Sequence, residues 1–116
     1  MRPTRLQLIM ANVPALEVYV ELQREWSLRT FGEGLRTGGV CNHIRSELLE
    51  IEAAPNDLKE WTDVIILAID GYWRAGGKPA ELMAMLEAKQ DKNFLRVFQK
   101  PVDENTPSFH TKGIYD

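Results

Sequence analysis

Four interruptions cut this chain into blocks, and each block carries its apolar residues at helical rather than strand spacing. Pro14 opens the first, at a first helical position with Asn12 or Val13 as cap, and a helix is expected to about Leu28. Phe31-Gly32-Glu33-Gly34-Leu35-Arg36-Thr37-Gly38-Gly39 holds four glycines in nine residues and reads as a loop. A second helix is expected from about Val40 to Ala53, ended by Ala54-Pro55-Asn56. A third runs from about Asp57 to Ala75 and stops at Gly76-Gly77, and a fourth starts at Pro79 and reaches about Phe98. No segment alternates with period two, so the expected fold class is all-α, a bundle of four helices. Residues 1–13 suit either a helix start or an extended arm. Residues 1–100 are expected to form one helical domain. From Pro101 onward periodicity is lost, and 101–116 reads as a C-terminal tail.

Composition removes several function classes. A chain of 116 residues with 44% hydrophobic side chains can bury a core without disulfides or a structural metal. Its 14 basic and 17 acidic residues leave a net charge of −3, with no basic excess for counterion release from nucleic acid. One cysteine (Cys41) permits no internal disulfide, and with His43 and His110 it is too small a set for a structural zinc site. The longest apolar run, Val64 to Ile69, falls far short of the ~20 residues of a membrane span, and no apolar signal core follows Arg2 and Arg5. The expectation is a cytoplasmic protein with neither nucleic-acid nor membrane partners.

The acids are informative through their placement. Glu47-x-x-Glu50 and Glu60-x-x-Asp63 each put two carboxylates on one helix face, about 5–6 Å apart at Cβ. Chance alone produces a few such pairs among 17 acids, so spacing by itself decides nothing. Val40, Ile44, Leu48 and Ile51 form the apolar stripe of the second helix, and Glu47 falls inside it, about 20° from Val40; Glu50 lies at its edge. A carboxylate on a buried face is costly unless paired or metal-bound. On the third helix Leu58, Trp61, Ile65, Ala68 and Tyr72 read as the main stripe, with Glu60, Asp63 and Asp70 on the other side. Ile66, Leu67 and Trp73 also lie on that side, so it too is expected to be covered. Asp57-x-x-Glu60 additionally fits a capping box.

The fourth helix carries the opposite charge. Its stripe begins as Leu82 and Leu86 and continues as Lys89, Asn93 and Arg96, a cationic and amide-bearing face suited to a phosphate or to pairing with Glu47 and Glu50. Four carboxylates on two successive helices suit a hard cation, Mg²⁺ or Mn²⁺, which takes oxygen ligands and bridges to phosphates. Two ions ~3.5–4 Å apart could polarise a phosphoryl group and activate water.

These residues, in this order and spacing, resemble the MazG-like all-α nucleoside triphosphate pyrophosphohydrolases over roughly Trp26 to Arg96. Phe31-Gly32-Glu33-Gly34, His43-Ile44-Arg45, Glu60-Trp61 and Asp70-Gly71-Tyr72-Trp73-Arg74-Ala75-Gly76 look like a phage branch, the dATP/dGTP pyrophosphohydrolases (MazZ) of phages that replace adenine with diaminopurine. The resemblance implies cleavage of a dNTP to dNMP and pyrophosphate. It implies Glu47, Glu50, Glu60 and Asp63 as ligands of two or more Mg²⁺ or Mn²⁺ ions, with Glu47 or Glu50 taking the water proton. It further implies Lys89, Asn93 and Arg96 near the phosphates and a homo-oligomer, dimer or tetramer. Only nine residues separate Glu50 from Glu60, fewer than in many members. A dUTPase- or dCTP-type housecleaning activity and a non-enzymatic helical interaction module are the competing readings.

The remaining signals are weaker. Gly32-x-Gly34-x-x-x-Gly38 lacks the spacing and preceding strand of a dinucleotide loop, and reads as a flexible connector or a lid. Trp26 and Phe31 flank it and are the candidates to stack on a base, with core packing the commoner fate for Trp26. His43, one turn before Glu47, either contacts substrate or caps the second helix. Asp70 reads as a further ligand or a group that supports the ligands, and equally as a solvated acid. Cys41 reads as a small buried residue with no catalytic partner.

Overall fold

The computed structural model describes residues 2–111, and among them the regular structure is all helical. Five α-helices and one 3-10 turn follow in order: α1 (Arg5–Met10), α2 (Ala15–Phe31), α3 (Thr37–Ala53), α4 (Leu58–Arg74), the turn Pro79–Glu81, and α5 (Leu82–Leu95). The four expected helices are present. Their boundaries moved where local chemistry allowed: α3 begins three residues early, taking Gly38 and Gly39 into its first turn, and α5 ends before Phe98. Residues 5–10 form a helix of their own because Thr4 and Gln7 complete a capping box, each side chain bonding the other's backbone N–H. Pro14 is the cap of α2 rather than its first residue, and Asn12 makes the left-handed turn before it. Asp57 caps α4 by accepting from Lys59 N at 3.0 Å; the expected box with Glu60 is not closed, because Glu60 is engaged elsewhere.

The chain divides into two compact units, residues 1–82 and 83–116. In the first, α3 and α4 form the most extensively packed pair, joined by a short connection that makes them neighbours. Their approach is close at Gly71, where a Cβ would lie 3.7 Å from Val40 Cγ1. The core gathers Val20, Trp73 and Leu82, with Leu16, Leu28, Ile69 and Tyr72 packed against it. The 3-10 turn lies on α2, and Tyr72 secures the chain before it by donating from its hydroxyl to Lys78 O at 2.8 Å. Gly77 is required there, since any Cβ would collide with the Tyr72 ring.

The stripe expected to bury α4 does so only at Tyr72. Leu58, Trp61 and Ile65 are 77%, 50% and 58% exposed, whereas Ile66, Leu67, Asp70, Trp73 and Arg74 face the packed side. Helix α4 is apolar on two faces, and periodicity alone cannot rank them. Leu48 on α3 is exposed as well.

The second unit contains α5 from Met83 onward and the segment after it. Beyond Leu82 the α5 stripe is not buried: Leu86 and Lys89 are exposed, while Asn93 and Arg96 are half-buried and joined by a 3.0 Å bond from Arg96 Nη1 to Asn93 Oδ1. Residues 97–111 fold back on themselves through an isolated bridge between Phe98 and His110, with Thr111 N donating to Val97 O at 2.7 Å. Asp103 holds the bend by accepting from Asn105 N and Thr106 Oγ1, bonds that lower its carboxyl pKa. Among the described residues no helix is long and apolar enough to cross a membrane.

Candidate active site

The α3–α4 pair brings the acids of two helices together. One carboxylate oxygen from each of Glu47, Glu60 and Asp63 lies within 4.8 Å of the other two. Glu47 is where its position in the α3 stripe puts it, with a side chain only 12% exposed. Its Oε1 sits 3.3 Å from His43 Nε2, one turn earlier. Its Oε2 and the Oε2 of Glu60 are shut off from solvent without a hydrogen-bond partner among the described residues. Glu50, the fourth acid, is exposed and hydrogen-bonds the Glu60 side chain. That bond, burial of the carboxyl, and the charges of Glu50, Asp57 and Glu47 together raise the Glu60 pKa to about 7.

Two buried carboxylate oxygens without donors, in a group of converging acids, are an electrostatic liability that a cation would relieve. The donor set is all oxygen, which suits Mg²⁺ or Mn²⁺ over zinc. The residues therefore fit a divalent metal.

A cleft of about 200 Å³ opens beside these acids, with Glu47, Asp63 and His43 on one part of its lining. Trp26, Phe31, Arg36 and Gln23 line another part. The Trp26 and Phe31 rings meet edge to face, 5.4 Å apart and at 89°, and the Arg36 guanidinium lies 5.2 Å above the Phe31 ring. Trp26 and Phe31 are both exposed, so Trp26 is a cleft residue rather than a core one. His43 lies two turns inside α3 and caps nothing. Cys41 is half-buried and free.

The glycine loop is pinned, not a loose connector. Arg74, its side chain fully buried, donates from Nη1 to the carbonyls of Gly32 (2.9 Å) and Gly34 (3.0 Å). Its Nε donates to Asp70 Oδ1 (2.8 Å) and its Nη2 to Ser27 Oγ (2.9 Å), which in turn donates to Asp70. Asp70 is thus not solvated; it is the buried counter-ion that holds Arg74, and it shares the cleft lining with Glu47 and Asp63. Neither acid spacing nor apolar periodicity marks Gln23, Ser27, Arg36 and Arg74 as site residues. One local signal existed: Gln23 and Ser27 continue the buried face of Val20 at i+3 and i+7, polar residues on a core stripe just as Glu47 is. Lys89, Asn93 and Arg96 belong to the second unit.

A model of the dATP/dGTP pyrophosphohydrolase family matches residues 19–112, from within α2 to beyond α5. No curated protein and no solved structure matches the chain. With most of its length matched and an acid cluster beside an aromatic cleft, the chain belongs to the dATP/dGTP pyrophosphohydrolase family and is a nucleoside triphosphate pyrophosphohydrolase.

Proposed function

We propose that this protein hydrolyses purine deoxynucleoside triphosphates, dATP and dGTP, to the monophosphate and pyrophosphate in a reaction that requires Mg²⁺ or Mn²⁺. The observation that carries the reading is the convergence of Glu47, Glu60 and Asp63 within 4.8 Å, two of their oxygens buried and unpartnered, at a cleft with aromatic walls. Glu47, Glu60 and Asp63, with Glu50 beside them, would hold the metal, two ions or more. A metal held there would supply charge neutralisation for the triphosphate and Lewis-acid assistance to the attack of water. Glu47 or Glu50 accepts the proton of the attacking water, as carboxylates within reach of it can. Trp26 and Phe31 stack on the base, and His43 holds Glu47 while reaching the cleft. Lys89, Asn93 and Arg96 contact the phosphates, an assignment that rests on their chemistry and helical spacing.

We place the activity in phage nucleotide metabolism on the strength of the motifs shared with the phage branch. The exposed Leu58–Trp61–Ile65 face of α4 supports assembly into a homo-oligomer, since three large apolar side chains on one helix face are expensive to leave in water. All dNTPs and NTPs, assayed with Mg²⁺ and with Mn²⁺ and scored for pyrophosphate against orthophosphate, test the reading. Pyrophosphate from dATP and dGTP, lost on chelation, is expected. Preference for dUTP or dCTP would favour the housecleaning alternative, and no release from any nucleotide would overturn the assignment.

A further inference from the structure

Gln23 and Trp73 meet on the buried side of the cleft, where the Trp73 indole N–H donates to Gln23 Oε1. Both residues are buried, and only Gln23 belongs to the cleft lining. An indole nitrogen can donate but never accept, whereas a primary amide presents an acceptor on one branch and two donors on the other. The contact therefore decides which way the amide is turned. Its oxygen faces Trp73, and the branch left for the cleft is Nε2, whose protons meet no acceptor among the described residues.

The neighbouring walls, the Trp26 and Phe31 rings, stack on any base, because every base has a π-face. A fixed donor is more selective. At position 6 adenine carries a donor and guanine an acceptor, so one donor cannot favour both there. At N3 both purines offer an acceptor, but pyrimidine O2 is its counterpart. N7 is an acceptor on adenine and guanine alike, and pyrimidines have nothing equivalent. We propose that Gln23, its amide oriented by Trp73, selects purines by donating from Nε2 to N7 of the base. This rests on the purine dNTP reading above. It makes Gln23 a specificity residue and Trp73 the residue that positions it.

The test compares kcat/KM for dATP, dGTP, their 7-deaza and 3-deaza analogues, and dCTP. Wild-type protein should lose about ten-fold on the 7-deaza substrates and little on the 3-deaza ones, the size expected for one hydrogen bond. Gln23→Leu should lose about ten-fold on dATP and show no further loss on 7-deaza-dATP. Gln23→Glu still accepts from the indole, so it keeps the core contact and separates misfolding from lost recognition; it should lose as much as Gln23→Leu while retaining wild-type circular dichroism. Trp73→Phe leaves Gln23 in place but frees its amide to turn, and should narrow the dATP-over-dCTP ratio. Equal wild-type rates on dATP and 7-deaza-dATP would overturn the proposal, as would an undiminished 7-deaza penalty in Gln23→Leu. Absence of pyrophosphate release from dATP and dGTP by wild-type protein is a different result, and would remove the activity reading as well.

Discussion

Arg74 Nε lies 2.8 Å from Asp70 Oδ1, one turn back along α4, with side chains 0% and 6% exposed. The pair is joined to the end of α2 through Ser27 and to the glycine loop that follows through two carbonyls, so a single guanidinium ties α4 to a stretch 40 to 47 residues earlier in the chain. Removing one partner of such a buried pair leaves the other charge uncompensated. Arg74→Ala is therefore expected to destabilise the fold by about 3–5 kcal/mol in urea unfolding. Arg74→Met combined with Asp70→Asn should recover part of that loss, because the buried charge is gone. An Arg74→Ala protein as stable as wild type would show that the network is ornamental.

The acid cluster predicts opposite effects of one substitution on stability and on activity. In metal-free protein at pH 8, Glu60→Gln removes a like charge from the group that includes Glu47 and Asp63, and should leave the melting temperature unchanged or raised. The same substitution, and Glu47→Gln or Asp63→Asn, should cut pyrophosphate release about 100-fold or more. Full activity in Glu47→Gln would exclude that carboxylate from the site.

Glu60 also sets a pH dependence. Its pKa in the folded chain is pushed up to about 7 by the hydrogen bond with Glu50, by burial and by the surrounding acids, against an ordinary value of 4.5. Between those values the folded state holds a proton that the unfolded state has released, so stability falls as pH rises from about 4.5 to about 7. Metal-free protein should melt at progressively lower temperature across that window. Millimolar Mg²⁺ or Mn²⁺ should flatten or reverse the trend, since a ligand that binds only the folded state stabilises it by linkage. A melting temperature independent of both pH and metal would contradict this account of the cluster.

The outer face of α4 makes the fourth prediction. Ile65→Asp puts a charge amid Leu58 and Trp61, where monomeric protein would hardly notice it because the side chain is already 58% exposed. In a homo-oligomer sealed by that face, the substitution should yield monomers by light scattering while circular dichroism stays unchanged. Wild-type protein that is itself monomeric at micromolar concentration would refute the assembly.

Much of the architecture was readable from local chemistry. Pro14 opens a helix and Gly32, Pro55 and Gly76-Gly77 stand where helices end, for reasons internal to their own backbones. Thr4-x-x-Gln7 obeys the same kind of rule, and its capping box starts α1 where the apolar pattern of residues 1–13 suits a helix and an extended arm alike. Glu47 was legible because a charge on an apolar stripe contradicts its surroundings without reference to any other segment.

What sequence alone determined, then, was where helices start and stop and which residues were out of place on them. Tertiary structure alone decided which face of α4 is inside, because a helix apolar on two sides is ranked only by the partner that covers it. It alone joined Arg74 to Gly32 and Gly34, and Trp73 to Gln23, since hydrogen bonds between residues 40 to 50 positions apart leave no periodic trace in the chain. And it alone made Asp70 a buried counter-ion rather than a solvated acid: its charge is written in the sequence, but its partners are supplied by packing.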